Sequence, residues 1–439
     1  MQKGAGAIFV HCSNHMDGGQ LDSGNAAIKG DTVINLRDTI ARLGRNRAGW
    51  DKLIHGVGRG QLFRHPNPTS AHLQEVHGFG SNPGNLRMLR YLPATLAADP
   101  ALVVVLHGCT QTAAGYDLGA GWSTLAERYG FALLLPEQQR SNNPNGCFNW
   151  FQTEDSQRDR GEALSIRQMI EKFVVDNGVD RSRIFITGLS AGGAMTSVML
   201  ACYPDVFAGG AIIAGLPFGA ATNVQQAFEG MYQSPSRPER EWGDLVRRAS
   251  PHRGPWPRVS VWHGNADKTV IPSNAREILK QWTDVHGLPI APSGRARVDG
   301  YPREVWLDQA GAELIESYTI TNMAHGTPLA TDEGEGACGS AGPFLLQVGI
   351  SSSYHIAKFF NLAGADLRHV APAQSKAITL TPGPSHDRES AAEVPVLDGE
   401  VLGKDFDESP SRRHIPPSSP LEIGAVITNA LKAAGLMRG

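Results

Sequence analysis

Between residues 183 and 204 the chain runs RIFITGLSAGGAMTSVMLACYP, and the reading of this stretch decides the fold. Ile184, Phe185, Ile186 and Thr187 are β-branched or aromatic and favour a strand. The chain then passes through Gly188-Leu189-Ser190-Ala191-Gly192-Gly193 into a segment rich in Ala, Met and Leu, which favour a helix. A G-x-S-x-G string is weak evidence alone, because 50 glycines in 439 residues allow a chance match. A strand before it and a helix after it change its meaning. That is the arrangement of a nucleophile elbow, in which glycines permit a tight turn that presents the serine Oγ above the carboxyl end of a sheet. Ser190 is therefore the candidate nucleophile, against the alternative of a serine in an ordinary turn.

Working outward, ALVVVLHG (101–108), FALLLP (131–136), GGAIIAG (209–215) and RVSVWHG (258–264) resemble RIFITG in being short, apolar and bounded by Gly or Pro. Such runs are expected of strands buried on both faces. Helices are expected between them: Ala163, Ile166, Ile170, Phe173 and Val174 share one helical face, as do Ala275, Ile278, Leu279 and Trp282, with Gly287 as a stop. This alternation predicts an α/β fold with a mainly parallel, doubly wound sheet. REVWLD and ELIESYTI read as a hairpin extending the sheet, HLQEVHGFG and LRMLRYLP as an antiparallel start, and a further helix is expected near 343–361.

Four parts follow: an N-terminal appendage (1–74) with a weak helix at Leu36, Ile40 and Leu43; a catalytic domain (75–362); a Pro/Ser-rich linker (363–418); and a helix (419–439) opened by the capping box Ser419-x-x-Glu422.

A serine hydroxyl is a poor nucleophile near neutral pH, so it needs a base to take its proton and an acid to orient that base. In α/β-hydrolases these follow in the order Ser, Asp/Glu, His, each just past a strand. Asp267 lies past RVSVWHG, and His325 past ELIESYTI in NMAHGTPL. Asp284 on a helix, Asp308 at a hairpin turn, His263 at a strand end, His252 and His286 beside loops and His355 within a helix lack that address. Acyl transfer also needs N–H donors aimed at the developing oxyanion. The backbone N–H groups of Cys109, in LHGCTQT, and of Ala191, after the nucleophile, are the natural pair.

Composition removes other classes. A net charge of −3 leaves no basic field for nucleic acid, and no run approaches the length of a membrane helix. Five cysteines match no zinc spacing and leave at least one free thiol, whether or not some are bridged. No metal or cofactor is expected. His11 and the polar residues after it interrupt the short apolar run AGAIFV, so no signal peptide is evident and the cytoplasm is the default expectation.

VVVLHGCTQTAAGYD, FALLLPEQQRSNNPNGCFNWF, GEALSIRQMI, ITGLSAGGAMTSVMLACYPDVFAGGAIIAGLPFG, VWHGNADKTVIPSNA, MAHGTPL and AGPFLLQVGISSSYHIAKFF together resemble the poly(3-hydroxybutyrate) depolymerase type esterases, of the carbohydrate-esterase group that includes feruloyl and acetylxylan esterases. The resemblance covers about 75–362 and implies an α/β-hydrolase fold with Ser190, Asp267 and His325 as triad. It implies a carboxylic-ester substrate: a hydroxyalkanoate polyester or oligomer, or an ester on plant polysaccharide. It also makes Cys109–Cys147 the candidate disulfide, against two free thiols, and allows secretion or the periplasm. Trp150 and Phe151 are candidates for the substrate surface, against a reading as core aromatics. The chain departs from secreted polymer-degrading members in showing no evident signal peptide and no separate polymer-binding module.

Overall fold

The structure is a computed structural model and describes residues 72–364. The expected terminal helix, all but the first two residues of the expected linker, and all but the end of the expected appendage lie outside the described residues.

Among the described residues ten strands form one sheet: β1 (Gln74–Val76), β2 (Arg87–Tyr91), β3 (Leu102–Leu106), β4 (Ala132–Glu137), β5 (Ile184–Leu189), β6 (Gly209–Ile213), β7 (Arg258–Gly264), β8 (Gly294–Val298), β9 (Tyr301–Leu307) and β10 (Glu313–Ile320). Their order across the sheet is β1-β2-β4-β3-β5-β6-β7-β10-β9-β8. The central strands β4, β3, β5, β6, β7 and β10 run parallel, and antiparallel pairs extend both ends. The helices are α1 (Ala113–Ala120), α2 (Trp122–Tyr129), α3 (Gly161–Asn177), α4 (Ala191–Cys202), α5 (Val224–Gln233), α6 (Glu239–Ala249), α7 (Ser273–His286) and α8 (Ser352–Phe359).

The central strands lack polar alternation because both faces are covered. Leu102, Val104 and Leu106 of β3 point into one apolar cluster with Ile166, Ile170 and Phe173 of α3, Met195 and Val198 of α4, and Ile278 and Trp282 of α7. Val103 and Val105 point into the other, with Tyr116 of α1, Trp122 and Leu125 of α2, and Ile356 and Phe359 of α8. Each fully buried Leu or Val side chain stabilises the fold by roughly 1.5–3 kcal/mol relative to exposure. The residues 102–106 pair in register with 184–188, so the ends of β3 and β5 lie side by side. That places the LHGC loop next to the serine turn.

The α/β-hydrolase architecture is as the sequence predicts, and both antiparallel extensions form. The helix expected near 343–361 is shorter. Pro343 and a left-handed Gly349 (φ 82°) break it, and α8 starts only where the Ser351 hydroxyl accepts from the Tyr354 N–H. Ahead of it, β12 (Leu345–Gln347) pairs in parallel with β11 (Thr327–Leu329).

Candidate active site

The serine turn is built by close approach. Ser190 has φ 57° and ψ −114°, between β5 and the first residue of α4. That is a sparsely populated conformation for a residue with a side chain. A Cβ on Gly192 would stand 2.4 Å from the Leu106 carbonyl oxygen and 2.6 Å from that of His107, and one on Gly188 would stand 2.4 Å from the Gly192 oxygen. Only glycine lets α4 cross β3 and β5 this closely. The Ser190 N–H donates to the Ile213 carbonyl at 2.9 Å, fixing the turn to β6. Its hydroxyl has no hydrogen-bond partner among the described residues. It stands at the positive end of the α4 dipole.

Asp267 follows β7 and is closed into its own turn: Oδ1 accepts from the Thr269 N–H at 2.8 Å and the Val270 N–H at 3.0 Å. Oδ2 accepts from His325 Nδ1 at 2.7 Å. Burial alone would raise the Asp267 pKa, but hydrogen bonds from His263 and His325 outweigh it and hold the carboxyl below the ordinary carboxylate range. An ionised carboxylate only accepts, so His325 carries its proton on Nδ1 when neutral and keeps a lone pair on Nε2. This is the tautomer a general base needs.

Ser190, Asp267 and His325 follow the carboxyl ends of β5, β7 and β10 on one rim of the sheet, where β7 and β10 are neighbours. The structure joins His325 to Asp267 directly. It brings Ser190 to the same rim without a bond between the two. Catalytic hydrogen bonds are often long in unliganded sites and shorten when substrate binds.

A second histidine touches the carboxylate. His263 Nε2 donates to the Val270 carbonyl at 2.8 Å and lies 3.4 Å from Asp267 Oδ2. Its place at a strand end made it look structural in the sequence; its spacing of four from Asp267 was the one available signal.

The LHGC loop is held by several hydrogen bonds. The Gly108 carbonyl only accepts and the Gln138 N–H only donates, so buried His107 has its proton on Nδ1, giving it to Gly108 at 2.8 Å, and receives Gln138 on Nε2 at 3.1 Å. Burial lowers its pKa and keeps it neutral. Gly108 N–H is taken by the Gln111 side chain at 2.8 Å, and Thr110 N–H by the Asn145 carbonyl at 2.7 Å. Between these two donors, the Cys109 N–H has no partner among the described residues. The Ala191 N–H, first in α4, is likewise free of a side-chain cap. Together they can receive a developing negative charge.

Cys109 is bridged to Cys147, with 4.3 Å between Cα atoms. The bridge ties the LHGC loop to the loop after β4. That second loop is anchored by buried Glu162, which accepts from the Asn149 N–H at 2.8 Å and from the Gln138 amide. Burial, with neighbouring Asp155 adding to it, pushes the Glu162 carboxyl well up. Glu162 lies in GEALSIRQMI, but no spacing there marks its role, because its neighbours in space come from distant loops.

Trp150 and Phe151, which the sequence leaves between the substrate surface and the core, are buried. Each is 7% exposed within the α3/α4 cluster, and their rings pack edge to face at 5.5 Å. They line the support of the disulfide loop as core aromatics. Among the described residues no group of three or more His, Cys, Asp or Glu side chains is placed to hold a metal, and no helix is long and apolar enough to cross a membrane.

Comparison with known proteins bears on this geometry. The family model described as esterase PHB depolymerase matches residues 86–306. The chain is 46% identical over 293 residues to poly(3-hydroxyalkanoate) depolymerase C of Paucimonas lemoignei, covering 66% of this chain and 70% of that protein. It is 36% identical over 274 residues to feruloyl esterase B of Neurospora crassa, covering 59% and 89%. Among solved structures, an acetyl xylan esterase from Aspergillus awamori superposes with a TM-score of 0.57 at 27% identity, over 66% of this chain and 99% of that one.

Proposed function

The chain belongs to the esterase PHB depolymerase family and is a carboxylic-ester hydrolase, and from that premise we propose how the rim works and what it cleaves. His325 Nε2 takes the proton of Ser190, whose Oγ attacks the ester carbonyl. The N–H groups of Cys109 and Ala191 receive the oxyanion, each worth roughly 3 kcal/mol of barrier. The histidine then passes its proton to the leaving alcohol, and in the second half-reaction draws one from water to hydrolyse the acyl-enzyme. Asp267 keeps the imidazole oriented and stabilises its charged form. The observation that carries this reading is the 2.7 Å contact of His325 Nδ1 with an ionised Asp267, on the rim where the strained Ser190 turn opens.

The substrate is a short-chain hydroxyalkanoate polyester or its oligomers; 46% identity to a depolymerase over most of its length supports this. Feruloyl or acetyl esters of plant polysaccharide form the second reading, supported by relatives matched over 89% and 99% of their lengths. The Cys109–Cys147 bridge supports an oxidising compartment, in place of the cytoplasmic default.

Ser190→Ala is expected to abolish hydrolysis of p-nitrophenyl butyrate, by roughly 10⁶-fold in kcat, while circular dichroism stays unchanged; a folded variant that still turns over would end the assignment. Release of 3-hydroxybutyrate, ferulate and acetate from matched polymers, measured side by side, decides between the two substrates.

A further inference from the structure

The residue that stands over the general base has an unusual address. Phe344 lies in a tight turn closed in both directions, Gly342 N–H to the Leu345 carbonyl and Leu345 N–H to the Gly342 carbonyl, each at 3.0 Å. Pro343 followed by a residue at φ 62° is the pattern of a type II turn, whose third position ordinarily takes glycine or asparagine. An aromatic residue there is strained. Its side chain does not compensate by core packing, since 37% of Phe344 is exposed, one of few large apolar residues so exposed among the described residues. Instead its ring stands edge-on to the His325 imidazole, with centroids 6.0 Å apart and planes at 76°. The Phe344 carbonyl accepts from the Thr327 N–H at 2.8 Å, so the turn is fastened two residues beyond His325 and the ring is held to the base.

We propose that Phe344 is a substrate-contact residue that forms an apolar wall on the leaving-alcohol side of His325 and selects esters of apolar alcohols over those of polyols. The inference rests on the assignment of Ser190 and His325 above, and it narrows the substrate. The alcohol oxygen accepts its proton from His325 Nε2 at about 3 Å, so the carbons next to that oxygen come nearest to whatever covers the imidazole. The acyl carbon stays on Ser190, next to the Cys109 loop. A ring fixed to His325 therefore meets the alcohol half. The methyl-bearing chain of a hydroxyalkanoate packs on such a ring without loss. A sugar hydroxyl turned toward it would give up water without a partner.

The test uses the full chain with two ester series: butyrates of methanol, butanol and hexanol, and methyl esters of acetate, butyrate and hexanoate. Phe344→Ala should raise KM about tenfold for hexyl butyrate and less than about twofold for methyl butyrate, with kcat little changed. The loss should not depend on acyl length, and Phe344→Leu should recover most of the hexyl activity. Phe344→Gly, which relieves the backbone, should melt no lower than the parent while showing the same alcohol-dependent loss. A loss equal across alcohols, a loss that follows acyl length, or a Phe344→Gly variant that melts lower would overturn the assignment. Labelling of Ser190 by a fluorophosphonate is read in parallel. A parent enzyme that does not label sinks the nucleophile itself, whereas labelled enzyme with alcohol-independent loss sinks only the role of Phe344.

Discussion

One carboxylate oxygen, Asp267 Oδ2, serves two imidazoles, at 2.7 Å and 3.4 Å. Its lowered pKa carries a definite sign. A carboxyl depressed in the folded state adds stability that is fully present above its unfolded pKa, about 4, and is lost only as pH falls through the folded value. Titration of Asp267 therefore produces no step in activity between about pH 5 and 9. Asp267→Asn should lower kcat by roughly 10⁴ by admitting the wrong imidazole tautomer. Steady-state rates on p-nitrophenyl butyrate with a melting control read this out, and a loss below about tenfold would leave the carboxylate without its orienting role. Ser190, Asp267 and His325 were legible in the sequence because each needs a fixed address after a strand. His263, Glu162 and Phe344 were not: each owes its importance to a neighbour across space, and His263 and Glu162 are buried polar residues that one-dimensional patterning treats as strand end or helix surface.

At the scale of elements, five of the six central strands, β3 to β7, announced themselves because burial on both faces removes polar alternation; β10 read instead as one arm of a hairpin. Edge strand β8 did not announce itself; Gly-Arg-Ala-Arg-Val has no apolar pattern to read, since much of it faces solvent. α1 was missed for the opposite reason, as AAGYDLGA is buried around most of its circumference and shows no helical period. The crossing of α4 over β3 depends on Gly192, where a methyl group would meet two carbonyl oxygens. Gly192→Ala should cost about 1–3 kcal/mol or more of stability, and displacement of Ser190 by even about 1 Å should cost about 100-fold in kcat/KM; thermal melts and kinetics on the purified variant would show both, and unaltered kinetics would mean the turn tolerates relaxation. On β10, buried Glu316 has its pKa raised to about 7, chiefly by burial against the opposing pull of Arg303 and Ser260. A raised carboxyl contributes stability present below its unfolded pKa and lost as pH rises through about 7. Melting temperature should therefore fall between about pH 5 and 8, and Glu316→Gln should flatten that fall; an unchanged slope would assign it to other groups.

Across the whole molecule, the Cys109–Cys147 bridge closes a span of 38 residues. By loop entropy it is worth about 4 kcal/mol. Reduction, or paired Cys→Ser replacement, should lower the melting temperature and weaken ester hydrolysis together, because the same link holds the Cys109 N–H in place; a reduced enzyme of full activity would show that His107 and Gln111 suffice to hold the loop. The antiparallel extensions bring a different consequence. Among the described residues the ten-stranded open sheet ends in two rows of unpaired backbone groups, each a template on which another chain could add a strand. β1 offers only three residues, Gln74–Val76. β8 sets exposed Arg295 and Arg297 along its length, and an approaching copy would have to lay arginine against arginine. A short edge at one end and a charged one at the other disfavour strand addition by a second copy, which matters for an enzyme whose proposed substrate is itself a water-repelling surface that concentrates whatever binds it.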